Sequence, residues 1–255
     1  STTISNGGLG IHDKAVRITG YYGGEYSYFS MTEQYTQSQR ALRVNMENKA
    51  LAVKNTGGRE LYYNATVVIS AEDVTLENLI IENAFNRYVT RLEAHDRIVP
   101  LYDETPRRPT QHQSTEVQKP KYYRPACALA IAGMADRIQV KSCRLIGVQN
   151  TLYGDAGCRL YMQNCHIMGS EQIITGGMTL ICYRSSIDVF PNERSSYLFA
   201  ARTQIGLRGF LFYQCFIRSA EPVQEMIDNQ YAEGCNLVKP KDHYGEVVVV
   251  DPHFD

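Results

Sequence analysis

The side chains with the widest chemical reach in this sequence are its seven cysteines, at positions 127, 143, 158, 165, 182, 215 and 235. A zinc site would need close pairs of the CxxC kind, and none occurs, so no metal is expected. A thiol nucleophile would need a base within reach, and no local Cys/His pattern supplies one. His166 follows Cys165 directly, which in a strand sends the two side chains to opposite faces. An oxidising compartment would permit disulfides, but the odd count leaves at least one thiol over. The expected role of Cys143, Cys165 and Cys215 is structural, as small apolar residues pointing inward on successive turns of chain.

Two places hold ionisable groups that bear on a possible site. Asp155 and Glu171 flank the central part of the chain. Asp155 lies in GDAG, where an aspartate is favoured for local hydrogen bonding, and Glu171 should face away from Gln172 if that segment is a strand. The second place is residues 86–125, a polar stretch without hydrophobic periodicity. A loop of that length is functional or disordered more often than structural. Its cations, among them Arg91, Arg107, Arg108, Lys119 and Arg124, suit an anionic polymer, while Glu93, Asp96, Asp103, Glu104 and Glu116 would balance them in a merely solvated loop. Both readings stand.

The elements that must position these groups are short. CRLIG at 143–147 and CHIMG at 165–169 repeat after 22 residues, and weaker versions recur at Cys182 and Cys215. A period of roughly 20–50 residues made of short strands and turns marks a solenoid. Alternation of β-branched and aromatic residues with polar ones selects strands over helices. The expected fold is all-β: one right-handed parallel β-helix spanning residues 1–255, with the loop at 86–125. The length, 255 residues, suits one domain of this kind. A net charge of −1 offers no bulk attraction to nucleic acid or an anionic membrane, and no apolar run has the length of a membrane-spanning helix.

The same region carries a family resemblance. VQNTLYG (148–154) resembles the QDTLY motif of the pectin methylesterases, and GSEQIITGG (169–177) falls where that family has GTVDFIFG. RLYMQNCHIMG (159–169) has the pattern of the rung between them. ACALAI (126–131) is similar to the family's AVAL strand, VVISAEDVTLENLIIENAF (67–85) to the strand pair before it, and LVKPKDHYGEVVVVD (237–251) to LGRPW and the last core strand. The resemblance covers about residues 60–255. KAVRITG (14–20) resembles the strand after the family's first coil, so the first rung is expected to need a cover. Residues 1–13, a turn of aromatic residues at YYGGEYSYFS (21–30), or another chain would provide it.

The resemblance implies an ester-hydrolysing site with an aspartate nucleophile, an aspartate general acid/base, an orienting arginine and two glutamines holding the oxyanion. Carried onto this sequence, the nucleophile position is Gln172, the acid/base position Asn150, the arginine position Lys239, and the glutamine positions Pro125 and Gln149. Only Gln149 matches. An amide keeps the hydrogen-bonding shape of a carboxylate but does not ionise near neutral pH. Lysine keeps the charge but not the planar fork of arginine, and Pro125 offers neither donor nor acceptor on its side chain. The expected substrate-binding residues are Gln149, Tyr153, Lys239 and Lys241, the last standing where the family has tryptophan.

The first expectation is therefore a non-catalytic carbohydrate-binding protein for a pectic or other acidic polysaccharide, with no cofactor and no nucleic-acid or membrane partner. The resemblance implies a secreted or periplasmic setting. The alternatives are an active carbohydrate esterase with relocated catalytic groups, and a structural or adhesive β-helix module.

Overall fold

The computed structural model describes residues 2–5, 16–20, 26–29, 65–83, 97–100, 127–147, 149–189, 196–219, 235–238 and 244–254. Among them every regular element is a strand, and three parallel sheets hold nearly all of them. The first sheet stacks β1 (Thr2–Ser5), β5 (Val74–Glu77), β9 (Ile138–Lys141), β12 (Arg159–Gln163), β15 (Thr179–Tyr183), β18 (Phe210–Tyr213) and β21 (Val247–Val250). The second stacks β2 (Val16–Gly20), β6 (Leu79–Asn83), β10 (Arg144–Ile146), β13 (His166–Gly169), β16 (Ser186–Val189), β19 (Phe216–Ser219) and β22 (His253–Phe254). The third runs β4 (Val67–Ile69), β8 (Leu129–Ile131), β11 (Leu152–Gly154), β14 (Ile174–Gly176), β17 (Ser196–Ala201) and β20 (Cys235–Val238). Each rung visits the three sheets in the same order, which makes a right-handed parallel β-helix.

A strand ladder turns into a helix because each rung bends sharply at the same place. Between the first and second sheets stands a single residue with positive φ: Asn78 (55°), Ser142 (49°), Asn164 (52°), Arg184 (47°), Gln214 (54°) and Asp251 (49°). One left-handed residue reverses the pleat and turns the chain without a loop. The bend also fixes what lies inside. Ile18, Ile81, Leu145, Ile167, Ile187, Ile217 and Phe254 occupy equivalent positions on successive rungs of the second sheet. From Ile81 to Ile217 this row is buried, and each such side chain contributes about 1.5–3 kcal/mol on leaving water. Between the third and first sheets, Phe199 stacks on Phe212 with ring centroids 4.1 Å apart.

The cysteine expectation holds. Cys143, Cys165 and Cys215 are buried, and so are Cys127, Cys158 and Cys182. The register gives the row as Cys143, Cys165, Ser185, Cys215, so one serine interrupts the thiols. Ser185 Oγ accepts the Cys165 backbone N–H at 3.0 Å. Burial pushes the thiols of Cys143 and Cys158 up to about 11 and that of Cys165 to about 12, which makes them poor nucleophiles.

Two expectations about loops need correction. The Tyr-rich segment holds a strand, β3 (Tyr26–Phe29), rather than only a turn. Its partner is β7 (Arg97–Pro100), antiparallel to it and inside the long polar stretch. Aromatic and β-branched residues favour a pleated surface, and YSYF and RIVP supply enough of them to pair. At the N-terminal side, Thr2–Ser5 and Val16–Gly20 form a further rung, pairing with β5 and β6. Thr2–Ser5, part of the stretch expected to cover the first rung, is thus itself a strand of a rung, and the rest of residues 1–13 lies outside the described residues.

Candidate functional site

The third sheet positions the residues singled out from the sequence. Gln149 pairs with Glu171 in a parallel bridge, and Leu152 pairs with Ile174. Asn150 therefore stands beside Gln172 on adjacent rungs. Both have positive φ, 56° for Asn150 and 46° for Gln172, so each forms a left-handed corner just before its strand. The Asn150 N–H donates to the Glu171 carbonyl at 3.2 Å, and the Gln172 N–H donates to the Tyr197 carbonyl. The site is a backbone-bonded shelf, not a mobile loop.

Close packing below the shelf holds it in place. Thr151 is fully buried and its hydroxyl donates to the Met168 carbonyl at 3.0 Å. A methyl group on Gly169 would lie 2.7 Å from that hydroxyl oxygen. Gly176 has φ of 118° and its α-carbon faces the Gly154 carbonyl, so no other residue fits there.

The side chains are less exposed than a surface groove would suggest. Asn150 is 3% and Gln172 6% exposed, while Gln149 and Glu171 are half-buried. Asn150 Oδ1 is buried with no hydrogen-bond donor among the described residues. Gln172 Nε2 donates to Glu171 Oε1 at 3.0 Å. Glu171 thus does not turn to the opposite face from Gln172, as strand alternation predicts. The left-handed corner at Gln172 breaks the two-residue period and brings the neighbouring side chains together.

Asp155 takes the role expected of a turn residue. Its Oδ2 accepts the Gly133 N–H at 2.9 Å and its Oδ1 accepts the Tyr153 hydroxyl at 2.7 Å. Tyr153 packs against the small buried cluster of Cys127, Ala130 and Ala132. Pro125, Lys239 and Lys241 lie outside the described residues, as do the side chains of the cations in the 86–125 stretch. Among the described residues no group of histidine, cysteine and carboxylate side chains is arranged to hold a metal ion.

Sequence reasoning missed a second polar cluster, on the second sheet. Arg144 Nε donates to His166 Nδ1 at 3.0 Å, which leaves the proton of a neutral ring on Nε2, 2.6 Å from Asp188 Oδ2. Arg218 Nε donates to Asp188 Oδ1 at 2.8 Å. Burial alone would raise the Asp188 carboxyl, but the hydrogen bonds from His166 and Arg218 outweigh it and hold it below the usual range. The only signal in the sequence was polar residues at register-matched places, Arg144 with His166 and Asp188 with Arg218, legible once the 22- and 30-residue offsets are known.

Solved structures match this architecture. The Escherichia coli protein ybhc has a TM-score of 0.61 and 16% identity, over 99% of this chain and 58% of that one. A carrot pectin methylesterase gives 0.58 and 15%, over 92% of this chain and 53% of that one. A pectin methylesterase solved in complex with a hexasaccharide gives 0.55 and 19%, over 78% and 58%. This chain has the pectin methylesterase fold. It spans less than three fifths of the length of each of these three proteins. No protein-family model matches the sequence, and no curated protein does. Among the described residues, the Glu171 carboxylate touches the shelf of Asn150 and Gln172 through Gln172 Nε2.

Proposed function

We propose that this pectinesterase-like chain binds an acidic, pectic polysaccharide without hydrolysing its esters. The observation that carries this reading is the pair Asn150 and Gln172, two amides side by side on buried left-handed corners. A nucleophile that forms an acyl intermediate needs an ionised group, and a general acid must exchange a proton near working pH. Neither amide does either. Replacing two carboxylates by amides removes negative charge from the shelf, and Lys239, if it stands where the motif puts it, adds a cation. Both changes favour a polymer that carries one carboxylate per unesterified sugar. A hexasaccharide complex of a protein with this fold supports an extended sugar chain as the ligand class. A secreted or periplasmic setting goes with such a ligand.

The hydrogen bond between Glu171 and Gln172 supports a second reading, an esterase whose carboxylate has moved by one residue. Two assays on the unmodified protein separate the readings: binding to an array of galacturonan oligosaccharides, and methanol release from methylated pectin. Binding with no methanol above a heat-treated control is the expected result. Methanol release that Glu171→Gln abolishes while the protein stays folded would establish the relocated esterase instead.

A further inference from the structure

We infer that the outer face of the first sheet carries a site for an uncharged sugar residue, separate from the shelf of Asn150 and Gln172 on the third sheet. The inference does not depend on the acidic-polymer reading of that shelf. Three successive strands, β9, β12 and β15, build the site. Their outward side chains stand in two columns, two residues apart along each strand. Gln139, Tyr161 and Ile181 are in register in one column. Arg159 and Thr179 are in register in the other, which Arg137 extends from just before β9. These six residues line a cleft of about 350 Å³ with a mostly apolar surface, at the small end of the range for ligand sites.

The charges around the cleft decide against an ion. Arg137 Nε donates to Asp73 Oδ1 at 2.7 Å, and its Nη2 donates to Glu72 Oε2 at 2.5 Å. Arg159 Nε donates to Asp136 Oδ1 at 2.9 Å, and its Nη2 donates to Asp136 Oδ2 at 2.5 Å. Two guanidiniums thus face three carboxylates, those of Glu72, Asp73 and Asp136. An anion meets no surplus of positive charge there, and a cation finds the carboxylate oxygens already bonded.

The groups left to meet a ligand suit hydroxyls. The Gln139 amide and the Tyr161 hydroxyl make no hydrogen bond among the described residues, and neither does Arg159 Nη1. The amide and the phenol both donate and accept, and the guanidinium nitrogen donates. Thr179 already uses its hydroxyl proton on the Arg208 carbonyl at 2.8 Å. Beside these groups stand the Tyr161 ring and Ile181, which is 43% exposed. A neutral sugar has the matching chemistry, with hydroxyls around its rim and C–H groups on its faces. Its hydroxyls meet Gln139, Tyr161 and Arg159, and a C–H face lies against Tyr161 and Ile181. A wholly apolar ligand would instead strip water from three polar groups and give them no partner. The ion pairs hold Arg137 and Arg159 in place beforehand, so less side-chain freedom is lost when the sugar arrives.

The test titrates the full chain with neutral tetrasaccharides, the linear oligomers of glucose, mannose, galactose and arabinose, by calorimetry and saturation-transfer NMR. At least one should bind, with an affinity that stays within about twofold between about 0.05 and 0.5 M salt, because no charge is neutralised. Saturating tetragalacturonate should not displace it, whatever that acid's own affinity for the shelf. Gln139→Ala should weaken binding about fivefold, the loss of one ordinary hydrogen bond, and Tyr161→Ala about tenfold. Gln139 is exposed, so its variant keeps the fold, and thermal melts check this for both variants. No binding of any of these sugars at about 10 mM, displacement by tetragalacturonate, or a Gln139→Ala affinity equal to wild type would overturn the inference. So would a dimer in sedimentation that Ile181→Lys dissolves, since the face would then belong to a second copy of the chain. Binding of tetragalacturonate alone would leave the acidic-polymer reading standing and sink this one.

Discussion

Gln172 Nε2 lies 3.0 Å from Glu171 Oε1, although consecutive residues of a strand point to opposite faces. The contact exists because Gln172 is left-handed. Gln172→Asp should therefore destabilise the chain rather than restore an enzyme. It replaces a donor with a second carboxylate within hydrogen-bonding reach of the first, and one of the two must then have a raised pKa. A group with a raised folded-state pKa favours folding below its unfolded value and opposes it as pH rises. The expected loss is about 1–3 kcal/mol at pH 7, shrinking as the pH approaches about 4. Thermal melts of variant and wild type across that range measure it, and a deficit that is constant with pH would contradict the argument.

The second-sheet cluster makes the opposite pH prediction. Asp188 is held below its ordinary range by His166 and Arg218, so its contribution is present above about pH 4 and is lost as pH falls through the folded value. Asp188→Asn should cost roughly 3 kcal/mol near neutrality, because it leaves Arg218 and the His166 N–H facing an amide in a buried position. The gap between wild type and variant should close in acid as the wild type loses the same interaction. Urea denaturation at pH 7 and pH 3 reads both values.

The rung architecture was legible in the sequence because inward positions repeat in type: cysteine before the second sheet, isoleucine or leucine two residues later. The corners were not legible. Asn78, Ser142, Asn164, Arg184, Gln214 and Asp251 share a backbone conformation but no side-chain chemistry, so nothing in residue type marks them as equivalent. The same blindness misplaced Glu171, whose direction depends on the φ of the residue after it. The adjacency of Asn150 to Gln172 was expected from the family resemblance and agrees with the 22-residue offset between their rungs.

Those corners supply the last prediction. Ser142 sits at φ of 49°, where a β-carbon crowds the following carbonyl. Ser142→Gly should be neutral or stabilise by up to about 1 kcal/mol, since glycine reaches this conformation freely but gives up more chain entropy on folding. Ser142→Val should cost about 1–2 kcal/mol, since a β-branched side chain is the least tolerant of positive φ. Ser142 is only half-buried, so lost core packing does not account for such a difference. The ordering Gly ≥ Ser > Val in denaturant midpoint, at unchanged m-value, is the expected outcome. If valine proved as stable as serine, the corner would tolerate a relaxed φ, and the left-handed residue would not be what turns each rung from the first sheet into the second.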